Sequence, residues 1–261
     1  MLAPSSFAHG AAPDPDAIRA VTAPSKDRTL AFDESGRIAR LLVREGQAVK
    51  VGQLLVQLDD ALERVQLGSL KTAADGNSAV AAAQLRLAHA RAVLGRVEKA
   101  HAQKAAPESE LDNARFEAAL AALQVELERM ERAKARGRYE EALVRLERMR
   151  LVSPIDGTVE RLFAREGESV EAARGVVRVV CTDPLWIDAP VPLPLARRLN
   201  VGAAAQVRFV PGGPPAAGKV IRIASVADAA SETIEVRVEL PNPSARPAGE
   251  QVSVSFAAGG K

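Results

Sequence analysis

One cysteine, three histidines and 3% aromatic residues are what this 261-residue chain has least of, and each scarcity removes a class of function. Cys181 has no partner for an internal disulfide and no spaced companions for a zinc site; it fits a reducing or an oxidising compartment alike. His9, His89 and His101 are scattered, with no carboxylate or cysteine at ligand spacing, so no metal and no cofactor are expected. No Ser-His-Asp, Cys-His or paired-carboxylate constellation can be assembled from these residues, which points away from an enzyme. A single Trp and a single Tyr leave little to stack on bases or sugars. An excess of one charge is missing as well: 35 Lys plus Arg against 33 Asp plus Glu leave +2, interleaved along the chain, with no footprint for nucleic acid. No window approaches the roughly 20 apolar residues of a membrane-spanning helix. Met1 to Gly10 lack a basic segment followed by an apolar one, so an exported form is expected to have its signal or anchor outside these residues.

What is present is 47% hydrophobic and 26% charged, rich in Ala, Leu, Arg and Glu, the make-up of a folded chain that favours long helices. Residues 1–29 hold Pro4, Pro13, Pro15 and Pro24 and read as a flexible N-terminal arm, with at most a short strand near Ile18 to Val21. From Leu30 an internal repeat appears. Residues 36–49 and 157–170 align without a gap as G-x-[IV]-x-R-L-x-x-R-E-G-x-x-V. Gly36 and Gly157 open each copy, and Gly46 and Gly167 supply the residue that can turn at positive φ. Apolar runs follow both, Leu54 to Leu58 and Val176 to Val180. A half unit of this kind exposes one apolar face, so the copies, over 30–58 and 151–182, are expected to pack together as a small β-sandwich.

Between them, residues 59–150 change character. Val80, Ala83, Leu87, Ala90, Leu94 and Val97 recur at coiled-coil spacing, as do Phe116, Leu120, Leu123, Leu127 and Met130. These two sets predict the facing seams of an antiparallel hairpin. The second seam slips between Met130 and Tyr139 and resumes with Leu143 and Leu146, and Gly76 weakens the outgoing helix by up to about 1 kcal/mol relative to alanine. The reversal falls at Lys104 to Leu111, with its tip near 104–108. Pro107 suits the first turn of a new helix, and Glu108 and Glu110 complement its positive end. Arms of roughly 45 and 42 residues would reach about 65 Å, more than a compact domain needs.

From 183 to 256 the pattern is short and alternating. Val207 with Phe209, Val220 with Arg222 set against Ile221 with Ile223, Ile234 to Leu240 and Val252 to Phe256 predict four strands, with a short helix over Leu193 to Leu199. This is a small β-barrel, followed by a tail at 257–261. The whole is an elongated α+β multidomain chain: a lipoyl-like sandwich split by a long helical hairpin, then a barrel.

That order, with the strings Glu45 to Asp59, Leu151 to Val159, Leu185-Trp-Ile187, Gly218 to Ile223 and Glu235 to Pro243, resembles the periplasmic adaptor subunits, or membrane fusion proteins. The resemblance implies a periplasmic protein at the inner membrane that self-associates into a ring, trimeric or hexameric. Such a ring joins an inner-membrane transporter, RND type or alternatively an ABC or type I secretion exporter, to an outer-membrane channel. It also implies a channel contact at the tip. Of the family's Arg, Leu and Ser set, Arg96 fits, whereas Ala100 stands in the place of Leu and Pro107 in the place of Ser. His101, Lys104, Ser109 and Leu111 complete the candidate tip.

Two rivals from other classes fail on particular residues. A lipoyl or biotinyl carrier needs a modifiable Lys in the turn joining the halves, as Asp-Lys-Ala or Met-Lys-Met, and neither string occurs. Gly213 to Lys219 matches most of a phosphate loop, but Val220 replaces the required Ser or Thr, Pro214 and Pro215 remove backbone donors, and the residues beyond alternate as a strand.

Overall fold

The computed structural model describes residues 17–211 and 213–256; the expected arm before residue 17 and the tail at 257–261 lie outside them. The elements in chain order are β1 (Ile18–Ala31), β2 (Gly36–Leu41), β3 (Ala48–Val49), β4 (Leu54–Leu58), α1 (Ala61–Asp75), α2 (Ser78–Ala102), α3 (Glu108–Arg148), β5 (Arg150–Val152), β6 (Gly157–Leu162), β7 (Ser169–Val170), β8 (Gly175–Pro192), α4 (Leu193–Ala196), β9 (Ala204–Phe209), β10 (Ala216–Asp228), β11 (Thr233–Leu240) and β12 (Gln251–Phe256).

The repeat builds the sandwich by exchanging strands. β2 of the first copy pairs with β7 of the second, Gly36 opposite Val170, and β3 pairs with β6, Val49 opposite Gly157. Each pairing is the other with the copies interchanged. The Gly46 N–H donates to the Val159 carbonyl at 2.8 Å and the Gly167 N–H to the Ile38 carbonyl at 2.9 Å, again as a reciprocal pair. Both turning glycines have positive φ, 80° and 86°, the left-handed region where a Cβ is disfavoured. The core repeats in the same way: Ile38 and Val159, Val49 and Val170, Val56 and Val177, Leu58 and Val179 are all buried. One layer has the order β5-β4-β2-β7; the other contains β3, β6, β8 and part of β1. Neither copy owns a layer, and neither could bury its apolar face alone.

The expectation of a flexible arm through residue 29 is corrected for residues 18–29. β1 is a 14-residue strand from Ile18 to Ala31. Its end, Thr29 and Leu30 against Arg178 and Val177, is matched in the second copy by Arg150 and Leu151 against Gln57 and Val56. The repeat therefore begins upstream of Gly36, in a stretch where only Leu30 and Leu151 are alike. Tertiary pairing, not local composition, makes this strand. Pro24 sits beside the register shift between Pro24 and Lys26, where its missing N–H breaks no regular ladder.

β1 and β8 then run on into the barrel, whose order is β1-β12-β9-β10-β11-β8, closed by the β1–β8 pairing. The barrel is thus wider than the four strands expected from 183 onward, because β8 crosses that point unbroken and β1 arrives from the N-terminal side. A second core of Leu185, Ile187, Val207, Val220, Val236, Val238 and Val252 fills it. On β10 a register shift between Val220 and Arg222 turns Ile223 onto this core beside Val220, so the simple alternation expected there does not hold. Gly213 to Pro215 lead straight into β10, whose first residues Ala216 to Lys219 pair with β9, so the stretch that matched a phosphate loop enters a strand and not a helix.

The hairpin separates β4 from β5. The outgoing arm is broken between α1 and α2 at Gly76 and Asn77, the weak point read from the sequence, and Arg132 of α3 donates to Asn77 Oδ1 at 3.2 Å across the break. α3 is continuous over 41 residues, a length of about 60 Å. On α2 the expected seam is in place: Val80 and Ala83 are buried, and Leu87, Ala90, Leu94 and Val97 half-buried. On α3 it is not. The buried residues are Leu111, Ala114, Ala118 and Val125, while Phe116, Leu120, Leu123, Leu127 and Met130 are exposed. α3 carries two sets at heptad spacing, and the small-residue set faces α2, where alanines let the two backbones approach closely.

Candidate functional site

The candidate tip residues singled out in the sequence lie together at the end of the hairpin. α2 ends through Gln103 into Lys104, a non-glycine residue at φ 59°. The Lys104 N–H donates to the His101 carbonyl and the Ala105 N–H to the Ala100 carbonyl, both at 2.8 Å. This pair of bonds is the Schellman closure, and it satisfies carbonyls that the helix end would leave open. Glycine is the usual residue at the left-handed position; here Lys104 takes it and holds a cation at the negative end of α2. The His101 ring lies over the reversal, its Nδ1 3.0 Å from the Ala106 carbonyl oxygen, a contact in which Nδ1 carries the proton and donates.

Pro107 precedes α3 in extended conformation, φ −73° and ψ 158°, and its carbonyl accepts from the Glu110 and Leu111 N–H groups. Its ring stops the chain from continuing α2 and sets the entry angle of α3. Lys104, Pro107, Ser109 and Arg96 are exposed, and Ala100 and His101 half-buried. Leu111 departs from the expectation of a contact residue: it is 7% exposed and closes the top of the seam from inside. The exposed end is electrically two-sided, with Arg96, Lys99 and Lys104 on the α2 side and Glu108, Glu110 and Asp112 on the α3 side.

Below the tip, a groove of about 880 Å³ runs along one flank of the hairpin, lined by Leu85, His89 and Val93 from α2 and by Glu117, Leu120 and Gln124 from α3. Sequence reasoning missed it because it placed Leu120 in the seam; the rival heptad of Leu111, Ala114, Ala118 and Val125 was the signal that could have found it. At the other end of the hairpin, Asp60 ties α1 to the sandwich. It accepts from Gln57 Nε2 at 2.7 Å and from both ends of the Arg64 fork at 2.9 Å. Burial would raise its pKa, but the hydrogen bonds from Arg64 and Gln57 and the Arg64 charge outweigh it and hold the carboxyl below its usual range. In the barrel wall, Arg237 forks onto Asp188 at 2.6 and 2.8 Å and lies over the Trp186 ring at 4.5 Å. No helix among the described residues is long and apolar enough to cross a membrane.

Two family descriptions cover this arrangement: the RND MFP barrel-sandwich hybrid domain matches residues 33–182, and the CusB-like beta-barrel domain matches residues 184–259. An uncharacterized protein of Haemophilus influenzae is 27% identical over 179 residues, 69% of this chain and 40% of that protein, so the chain spans about two fifths of its length. A UPF0194 membrane protein of Acidithiobacillus ferridurans is 27% identical over 255 residues, 80% of this chain and 75% of its own. Among solved structures, MacA from Actinobacillus actinomycetemcomitans superposes with a TM-score of 0.77 at 18% identity, covering 93% of this chain and 79% of that one. ZneB from Cupriavidus metallidurans superposes with a TM-score of 0.52 at 24% identity, covering 93% and 70%. A sandwich split by a helical hairpin, a barrel fed by two of its strands, and matches over both parts together show that this chain belongs to the RND membrane fusion protein family, the adaptors of efflux systems.

Proposed function

We propose that the protein is a periplasmic adaptor that joins an inner-membrane pump of the RND type to an outer-membrane channel, and that it works as a ring of three or six copies. The observation that carries this reading is the hairpin: a 41-residue helix backed by α1 and α2, anchored at one end in the sandwich and closed at the other by Lys104 and Pro107. A reach of about 60 Å serves no core, and suits contact with a second protein at a distance. Coupling in this reading is by shape, with sandwich and barrel joined through the shared strands β1 and β8.

In this reading the exposed tip meets the channel through Arg96, Lys104, Pro107 and Ser109. Ala100 and His101 hold the reversal in shape, and Leu111 supports it from within. The test is a photo-cross-linking residue at Ser109 or Lys104, introduced in the native membrane and followed by mass spectrometry. A cross-link to an outer-membrane channel is expected; capture of the inner-membrane pump alone would overturn the tip assignment. Affinity capture from the same membranes should recover an RND transporter, and recovery of an ABC subunit instead would move the protein to the other branch of export.

A further inference from the structure

α3 is one unbroken helix, but the arm packed on it is two, and the seam between the arms is interrupted where the break falls. Towards the tip, the seam holds the buried Val80 and Ala83 of α2 and Ala118 and Val125 of α3. Towards the sandwich, it holds Leu67, Leu70 and Ala74 of α1 with Tyr139, Leu143 and Leu146 of α3, all buried or half-buried. Between these two packed lengths, every residue of 75–79 and of 129–134 is exposed. Burial of apolar surface is what holds paired helices together in water, and here it lapses on both arms at one height.

The inner face of α3 explains the lapse. The heptad spacing of Leu111, Ala114, Ala118 and Val125 continues through Arg129, Arg132 and Arg136 before it returns to Tyr139, Leu143 and Leu146. Three arginines thus stand where apolar residues stand on either side, and the broken arm offers them Asp75, Gly76, Asn77 and Ser78. The Arg132 guanidinium donates to Asn77 Oδ1 at 3.2 Å, a single tether across the gap. A lone helix is marginal in water, and α3 is supported here by its own ion pairs. Arg129 meets Glu126 at 2.8 Å, Lys134 meets Glu131 at 2.6 Å and Arg136 meets Glu140 at 3.0 Å, each about one turn apart. Gly137 weakens the same stretch of helix, and no neighbour calls for it, since a Cβ there would meet nothing within 4 Å.

We propose that residues 75–79 and 129–134 form a joint within the hairpin, at which α2 and the first half of α3 swing as one rigid lever relative to α1 and the sandwich. α3 is the strap that bends. α1 and α2, linked only through the non-helical Gly76 and Asn77, change their separation as it does. From Val80 to the reversal the lever is about 35 Å long, so a bend of about 20° carries the tip roughly 12 Å sideways while the sandwich stays still. The joint goes beyond the adaptor reading and does not depend on it, and its test needs no partner protein.

Hydrogen exchange of the full chain, read by mass spectrometry, tests the joint first. Amides of 129–136 should exchange at least about tenfold faster than those of 114–125 and 139–146, and Gly137→Ala should narrow that gap about threefold. Uniform protection along α3 would overturn the proposal. Spin labels then read the swing. In a Cys181→Ser chain, Ser69→Cys on α1 and Ala92→Cys on α2, both at exposed positions, stand about 35 Å apart along the broken arm. Measured by electron double resonance in an excess of unlabelled chain, their distance distribution should be broad. Filling the seam with Asn77→Leu and Arg132→Leu should cut its width about twofold, because the two packed lengths then fuse into one. Equal widths before and after, in a variant whose circular dichroism matches the parent, would overturn the lever. Should the filled variant not fold, the exchange pattern and its response to Gly137→Ala decide alone.

Discussion

Gly36 and Gly157 hold the same place in the two copies of the repeat, yet their surroundings differ in what a side chain would strike. A Cβ on Gly36 would come within 3.0 Å of Leu58 Cδ1, the end of a side chain that can rotate; on Gly157 it would overlap the Val180 carbonyl oxygen, which belongs to β8 and cannot move alone. Gly157→Ala is therefore expected to destabilise the fold by about 3 kcal/mol and Gly36→Ala by about 1 kcal/mol or less, read as the shift in urea midpoint. Asp27 gives a pH dependence. The Arg178 hydrogen bond and charge, with a smaller pull from Arg28, hold its carboxyl below the usual range against the opposing effect of burial. A depressed folded pKa adds stability above the ordinary carboxylate value of about 3.9, lost as pH falls through the lower folded value. Asp27→Asn should accordingly be less stable than the parent near neutral pH, by a small amount because the pair is largely exposed, and the gap should close in acid. A gap that widened in acid would refute the pairing.

At the scale of elements, α2 and α3 show what periodicity can and cannot decide. Their heptads were legible because helices bury every third or fourth residue. Which of the two α3 sets faces inward was not, since hydrophobicity favours Phe116 and the leucines, while close approach of two helices favours Ala114 and Ala118. The outcome is open to a direct comparison at concentrations where the chain is monomeric. Ala118→Leu should overpack the seam and lower stability by about 1–3 kcal/mol, whereas Leu123→Ala should change it by less than about 0.5 kcal/mol. Thermal melts with these values interchanged would put the large stripe in the seam instead. The tip was half legible: Pro107 and the acidic first turn announced the start of α3, but the left-handed turn fell on Lys104, where no glycine advertised it.

In the whole molecule, β1 and β8 run through both sandwich and barrel, so neither body can unfold while the other keeps its strands. Ile38→Ala in one core and Val236→Ala in the other should move a single calorimetric transition, the first by about 2–5 kcal/mol; two separate transitions would show the bodies to be independent. The amino-acid sequence by itself determined the repeat, the hairpin and the run of barrel strands, because these follow from local period, turn residues and an apolar face too large for a half unit to hide. Only the tertiary structure decided that the copies exchange strands, that residues 18–29 are sheet and that α3 turns its alanines inward. Each of those depends on what another part of the chain presents across the gap, and no window of neighbouring residues contains it.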